Sequence, residues 1–143
     1  RDAGFVFAGE IETALPASDI VTLHCPATKD GKPLLDRHRL GLLPPGAVVI
    51  NTARGSLIDE AALAEALQSG RIGAAGLDVY EIEPPRPDNP LFALANVVCS
   101  PHCAGITAES AIRMARISAQ NVIDALAGRL DPRYVVGAGA SRP

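Results

Sequence analysis

A chain of 143 residues is the size of one ordinary domain, and an apolar content of 48% is enough for it to bury a real core. A formal charge of −3 and a pI near 5.5 exclude a generally basic nucleic-acid or membrane surface, leaving room for a local site for a small anion. No apolar run approaches the ~20 residues that span a bilayer, no signal peptide is visible, and three cysteines without an even framework of close spacings read as the reduced thiols of a cytosolic protein.

The chain opens on Arg1 and its single methionine is Met114, so the expectation is a piece of a longer polypeptide. In chain order, Val6-Phe7 reads as a short strand and Ile20-Val21-Thr22-Leu23 as a β-branched one. Residues 30–43 read as a helix ended by Pro44-Pro45, with Arg37, His38 and Arg39 on a solvated face. Ala47-Val48-Val49-Ile50 is the next strand. Asp59 can cap a helix running to about Ser69, with Leu63, Ala66 and Leu67 on one face and Gly70 at its end. Ala74 to Val79 and Asn96 to Cys99 are two further strands, separated by a proline-rich loop over Pro84–Pro90. Thr107 can cap a longer helix whose Ile112, Ala115, Ala119, Val122, Ile123 and Leu126 recur at helical spacing as a packing stripe, with Gly128 at its end.

The strand runs are near-continuous rather than alternating, as in parallel strands covered on both faces. Strands alternating with helices predict an α/β fold built on a doubly wound parallel sheet. In such sheets ligands bind outside the carboxyl ends of the strands. That edge is polar here: His24-Cys25-Pro26 follows the first long strand, Asn51-Thr52-Ala53-Arg54-Gly55 the second, Asp78 and Glu83 the third, and Ser100-Pro101-His102 the fourth. A cation, two acids and two histidines thus share one rim. Arg54 is a permanent planar cation suited to a carboxylate or carbonyl oxygen. His102 can donate or accept a proton, and a Glu83 within reach would favour its imidazolium and fix the ring. Together they can anchor a keto acid and deliver a proton, which leaves a hydride to come from a cofactor. Zinc is the rival reading of Cys25, Cys99 and Cys103 beside His24 and His102, but no CxxC pair accompanies them. No metal is expected; Cys103 is placed beside the cofactor pocket, and Cys25 and Cys99 in the core.

At these residues the sequence resembles the D-2-hydroxyacid dehydrogenase family, which includes phosphoglycerate dehydrogenase and glyoxylate/hydroxypyruvate reductase. The resemblance rests on Ser18 to Pro26, on Ile50-Asn51-Thr52-Ala53-Arg54-Gly55, on Gly76-Leu77-Asp78-Val79-Tyr80 followed by Glu83-Pro84-Pro85, and on Ser100-Pro101-His102-Cys103-Ala104-Gly105 with Thr107. It spans roughly residues 18–128 and implies a Rossmann-like NAD-binding domain. It also implies roles: His102 as acid/base, Glu83 tuning it, and Arg54 holding the substrate. Asp78 would contact the nicotinamide carboxamide, and Thr52, Ala53 and His102 to Gly105 (Ala104 included) would line its pocket. Pro26 and Thr28 would lie along the dinucleotide. His24 reads two ways, as a cofactor contact or as the close of a strand.

The resemblance further implies reversible reduction of a small 2-keto acid to a D-2-hydroxy acid by NAD, with NADP an alternative, in a cytoplasmic homodimer without nucleic-acid or membrane partners. Other readings are an NAD-sensing scaffold of the co-repressor kind and a phosphite dehydrogenase; formate dehydrogenases carry glutamine where Glu83 stands and are disfavoured. The family's Gly-rich phosphate loop is absent, and Gly137-Ala138-Gly139 lacks the strand and helix that would make it one. The expectation is therefore an incomplete sheet, residues 1–105 being a partial dinucleotide-binding domain whose N-terminal strands precede Arg1. The strand at 20–23 would then have an unpaired edge. Residues 106–143 would be a crossover helix and a segment returning to the substrate domain.

Overall fold

A computed structural model describes Gly4 and residues 6–135. The chain divides into two compact units, Arg1–Ala104 and Gly105–Pro143. The first is organised around four parallel strands in sheet order β1-β2-β3-β4: β1 Ile20–Leu23, β2 Ala47–Asn51, β3 Ile72–Leu77 and β4 Val97–Cys99. Ile20 pairs with Val48, Ile50 with Gly76, and Leu77 with Cys99, so all four chains run the same way and their carboxyl ends lie along one edge.

The strands form where β-branched and small apolar residues can be buried. Val49 and Ile72 are fully inaccessible at the sheet's centre. β1 pairs only with β2 and leaves Ile20 exposed; β4 is the other edge, with Val98 and Cys99 exposed. Cys25 is exposed as well, so the expectation that Cys25 and Cys99 are core thiols is corrected. Even in the two central strands burial alternates, with Ala47, Val49 and Asn51 buried and Val48 and Ile50 only half-buried, so the expected full coverage on both faces is corrected to one covered face.

Helix α3, Glu60–Gln68, connects β2 to β3 and turns Ala62, Leu63, Ala64 and Leu67 inward. Asp59 caps it by accepting from the Ala62 N–H at 2.9 Å, and Gly70 takes a φ of +73° just beyond its end. Helix α2 is shorter than its predicted 30–43: it spans Arg37–Leu42 and starts from an Asp36 cap. The residues before it are extended because Leu35 is used elsewhere, in a parallel bridge with Ile58 that places it among the buried leucines. Gly31, at a φ of +71°, and Pro33 already disfavour a helix there. A four-residue helix, α1 at Ile11–Ala14, precedes β1 and was not foreseen. Val6 and Phe7 form no strand; both are 92% exposed.

In the second unit, helix α4 spans Ala108–Leu126. Thr107 and Ser110 form a reciprocal capping box, and Gly128 has a φ of +69°. No residue of α4 is buried, so its apolar stripe is not core in this chain. Among the described residues no helix is long and apolar enough to cross a membrane. Gly137-Ala138-Gly139 lies outside the described residues.

Candidate active site

Asn51, the last residue of β2, and Asp78, just past β3, are buried polar side chains that stand side by side, joined by a 3.0 Å bond from the Asp78 N–H to the Asn51 carbonyl. Buried polar groups must be hydrogen-bonded, so each fastens something. Asn51 closes the turn after β2: its Nδ2 donates to the Arg54 carbonyl at 2.9 Å and its Oδ1 accepts from the Ala53 N–H at 3.0 Å. Asp78 closes the loop after β4. Its carboxylate accepts from the Ser100 hydroxyl and from the Cys103 and Ala104 N–H groups, both at 2.9 Å. Burial pushes its pKa up, but these three bonds and the nearby His102 outweigh that and leave it below the usual aspartate value.

The same loop holds His102 at φ +54°, a left-handed conformation uncommon for any residue but glycine. Strain of that kind persists only where the surroundings dictate it. Here the His102 N–H donates to the Asp78 carbonyl at 2.7 Å while the next two N–H groups meet the Asp78 side chain. Backbone and side chain of one residue therefore impose the turn.

His102 and Glu83 meet, with Nδ1 2.7 Å from Glu83 Oε2, on side chains that are 50% and 37% exposed. The other carboxylate oxygen accepts from the Tyr80 N–H at 3.1 Å, so the carboxylate is oriented from behind. The hydrogen bond from His102 is the largest of the influences that hold Glu83 below the usual carboxylate range; the Tyr80 N–H comes next, and His102 and Arg54 add favourable charge. An ionised Glu83 requires a proton on Nδ1 of His102, which leaves Nε2, without a partner among the described residues, to exchange protons.

Arg54 is exposed and forms no ion pair among the described residues; its Nη1 donates to the Ala53 carbonyl. It lines a depression of about 360 Å³ with His24, Cys25, Pro26, Thr52 and Ala53, at the carboxyl ends of β1 and β2. Not every expected residue gathers there. The Thr28 hydroxyl donates to the Lys32 carbonyl and Gly105 opens the second unit, whereas His24 does line the depression, with its ring 2.9 Å from the Thr22 hydroxyl. Cys103 is half-buried, and no three metal-binding side chains cluster among the described residues. The supporting partners Asn51, Ser100 and Tyr80 were not singled out from the sequence; a polar residue closing an apolar strand was the signal for Asn51.

The sequence pattern of the D-isomer specific 2-hydroxyacid dehydrogenases, in its NAD binding domain, matches residues 1–104. The chain belongs to that family. It is 43% identical over 119 residues to D-3-phosphoglycerate dehydrogenase of Archaeoglobus fulgidus, covering 83% of this chain and 23% of that one. Among solved structures it resembles D-lactate dehydrogenase with NAD+ from Lactobacillus jensenii, with a TM-score of 0.80 and 32% identity over 90% of this chain and 42% of that one. It also resembles the NADPH-dependent glyoxylate/hydroxypyruvate reductase of Sinorhizobium meliloti in complex with NADP and malonate, with a TM-score of 0.77 and 34% identity over 87% and 39%. The chain thus spans less than half the length of these dehydrogenases, and the parallel sheet is a Rossmann-like NAD-binding unit of their family.

Proposed function

We propose that this chain carries the acid/base half of an NAD(P)-dependent D-2-hydroxyacid dehydrogenase. The Glu83–His102 pair on the carboxyl rim, beside Arg54, supports the reading most directly. The depression after β1 and β2 fits one end of a dinucleotide, since it lies where parallel sheets take ligands and is lined by the small Pro26, Thr52 and Ala53 beside Arg54. Those residues, with His24, would hold the nicotinamide end. Thr28 would lie further along the dinucleotide, Ala104 would contribute its backbone, and the last lone pair of Asp78 Oδ2 would be left for the carboxamide. The hydride that C2 of the keto acid receives would be supplied by NADH or NADPH when bound.

The remaining work falls to side chains. Arg54 would swing from the Ala53 carbonyl to grip the substrate's carboxylate with its planar fork. His102, protonated at Nε2, would give that proton to the keto oxygen as the C–H bond forms, and would take it back in the oxidative direction. Glu83 stabilises the imidazolium and fixes the ring through Nδ1. In this reading residues 106–143 link to the substrate domain, and the complete enzyme is a cytoplasmic homodimer acting on a small molecule, without nucleic-acid or membrane partners.

The test is a spectrophotometric assay of the complete enzyme carrying this chain, with NADH and NADPH against glyoxylate, pyruvate and hydroxypyruvate, and with phosphite in the oxidative direction. Reduction of at least one keto acid is expected. Oxidation of phosphite alone, or partner binding that responds to NADH without turnover, would replace this proposal.

A further inference from the structure

The loop that carries Glu83 has little apolar anchorage. Residues 81–84 and 86–88 are exposed, and Ile82 is 61% exposed. Such a segment keeps one conformation only if other bonds compensate for its ordering entropy. Two of those bonds end on a single side chain, that of Glu60 at the start of α3. Its Oε1 accepts from the Glu81 N–H and its Oε2 accepts from Asn89 Nδ2 at 2.8 Å. One carboxylate therefore grips the loop on both sides of Glu83. Asn89 is itself fixed, its Oδ1 accepting from the Leu91 N–H at 3.0 Å.

The grip falls on a crowded junction. The Tyr80 N–H donates to Glu83 Oε1, and the Tyr80–Glu81 peptide lies so close to Gly55 that a Cβ there would sit 1.9 Å from the Tyr80 carbonyl carbon. Helix α3, the Arg54 turn and the Glu83 carboxylate thus meet at one peptide. The blander role for Glu60, an acid favouring a helix N-terminus, explains neither bond, because α3 already has its cap in Asp59 and the partners lie 21 and 29 residues away.

We infer that Glu60 is a positioning residue: by holding Glu81 and Asn89 it sets the loop so that Glu83 reaches His102. This rests on the acid/base pair proposed above. It is tested on the chain itself by 15N NMR of its three histidines, His24, His38 and His102, with His102 assigned by the signal lost in His102→Gln. Neutral His102 should carry its proton on Nδ1, and Glu83→Ala should shift it toward the Nε2–H tautomer. Glu60→Ala should reproduce at least half of that shift, and Asn89→Ala a smaller part. Glu60→Gln, whose amide oxygen can still accept from Glu81 but whose amide nitrogen cannot accept from Asn89, should move the signal about as far as Asn89→Ala does and less than Glu60→Ala. In the complete enzyme Glu60→Ala should lower kcat about tenfold, as a small misplacement does, with the NADH dissociation constant unchanged.

A His102 signal that moves in Glu83→Ala but not in Glu60→Ala overturns the inference and leaves the pair standing. No movement in Glu83→Ala defeats the pair itself. A lowered melting temperature with an unmoved tautomer makes Glu60 merely structural, which also overturns it. Should Glu60→Ala fail to fold, Asn89→Ala decides by the same readout.

Discussion

Gly55 shows how little latitude the residues behind the site have. A methyl group there would overlap the backbone of Tyr80 and Glu81, with contacts of 1.9 and 2.5 Å and no flexible side chain to give way. Gly55→Ala should therefore destabilise the chain by about 3 kcal/mol or more, read as a lowered urea midpoint; a midpoint within error of the parent would mean that the turn and the loop are not in contact. Asp78 is constrained by hydrogen bonds instead. Its two oxygens serve three donors, and the single oxygen of Asn cannot. Asp78→Asn should cost about 1–3 kcal/mol, the usual penalty for an orphaned buried donor, and should free the 100–104 loop, visible as faster amide exchange at Cys103 and Ala104. Protection equal to the parent would contradict that role. Glu83 gives a pH prediction. Its folded pKa is depressed, so its contribution is present above the unfolded value and is lost as pH falls through the folded one. The Glu83–His102 contact should survive acidification past the ordinary glutamate value of ~4.3 and break below it. A Glu83 carboxyl 13C midpoint at or above that value would refute it.

At the scale of elements, β1 and α3 lie almost where their sequences place them, because each is specified twice. The strand run is apolar and β-branched and pairs with an equally apolar neighbour; α3 has a cap, an inward leucine face and a terminal glycine. Leu63, fully buried on that face, should cost about 2–5 kcal/mol when truncated to alanine, and a loss under 1 kcal/mol by urea denaturation would show that α3 is not packed on the sheet. Elements specified once fared worse. Residues 30–36 hold Gly31 and Pro33, both poor helix formers, and the bridge between Leu35 and Ile58 takes Leu35 into the core. Val6 and Phe7 have strand composition and no strand to pair with. The crossover from β3 to β4 holds no α-helix at all, only a one-turn 3-10 segment at Pro90–Ala93, and that irregularity lets Glu83 come forward to His102.

Across the whole molecule, the chemistry was more legible than its scaffolding. Arg54, Glu83 and His102 could be read from the polar endings of apolar runs because a parallel sheet collects its strand ends on one rim. The loop-tying bonds of Asn51, Asp78 and Glu60 could not be read, since they depend on which amide groups a folded loop leaves unpaired. Asp78, expected to contact the cofactor, also lies buried under the loop it ties, a structural role the sequence did not announce.

The central claim is that His102 moves the proton, and the most direct measurement is the kcat of His102→Gln in the complete enzyme, taken alongside its NADH dissociation constant. A fall in kcat of about 10²–10⁴-fold, the usual contribution of a general acid, is predicted, with cofactor affinity within about threefold of the parent. Turnover equal to the parent's would contradict the assignment.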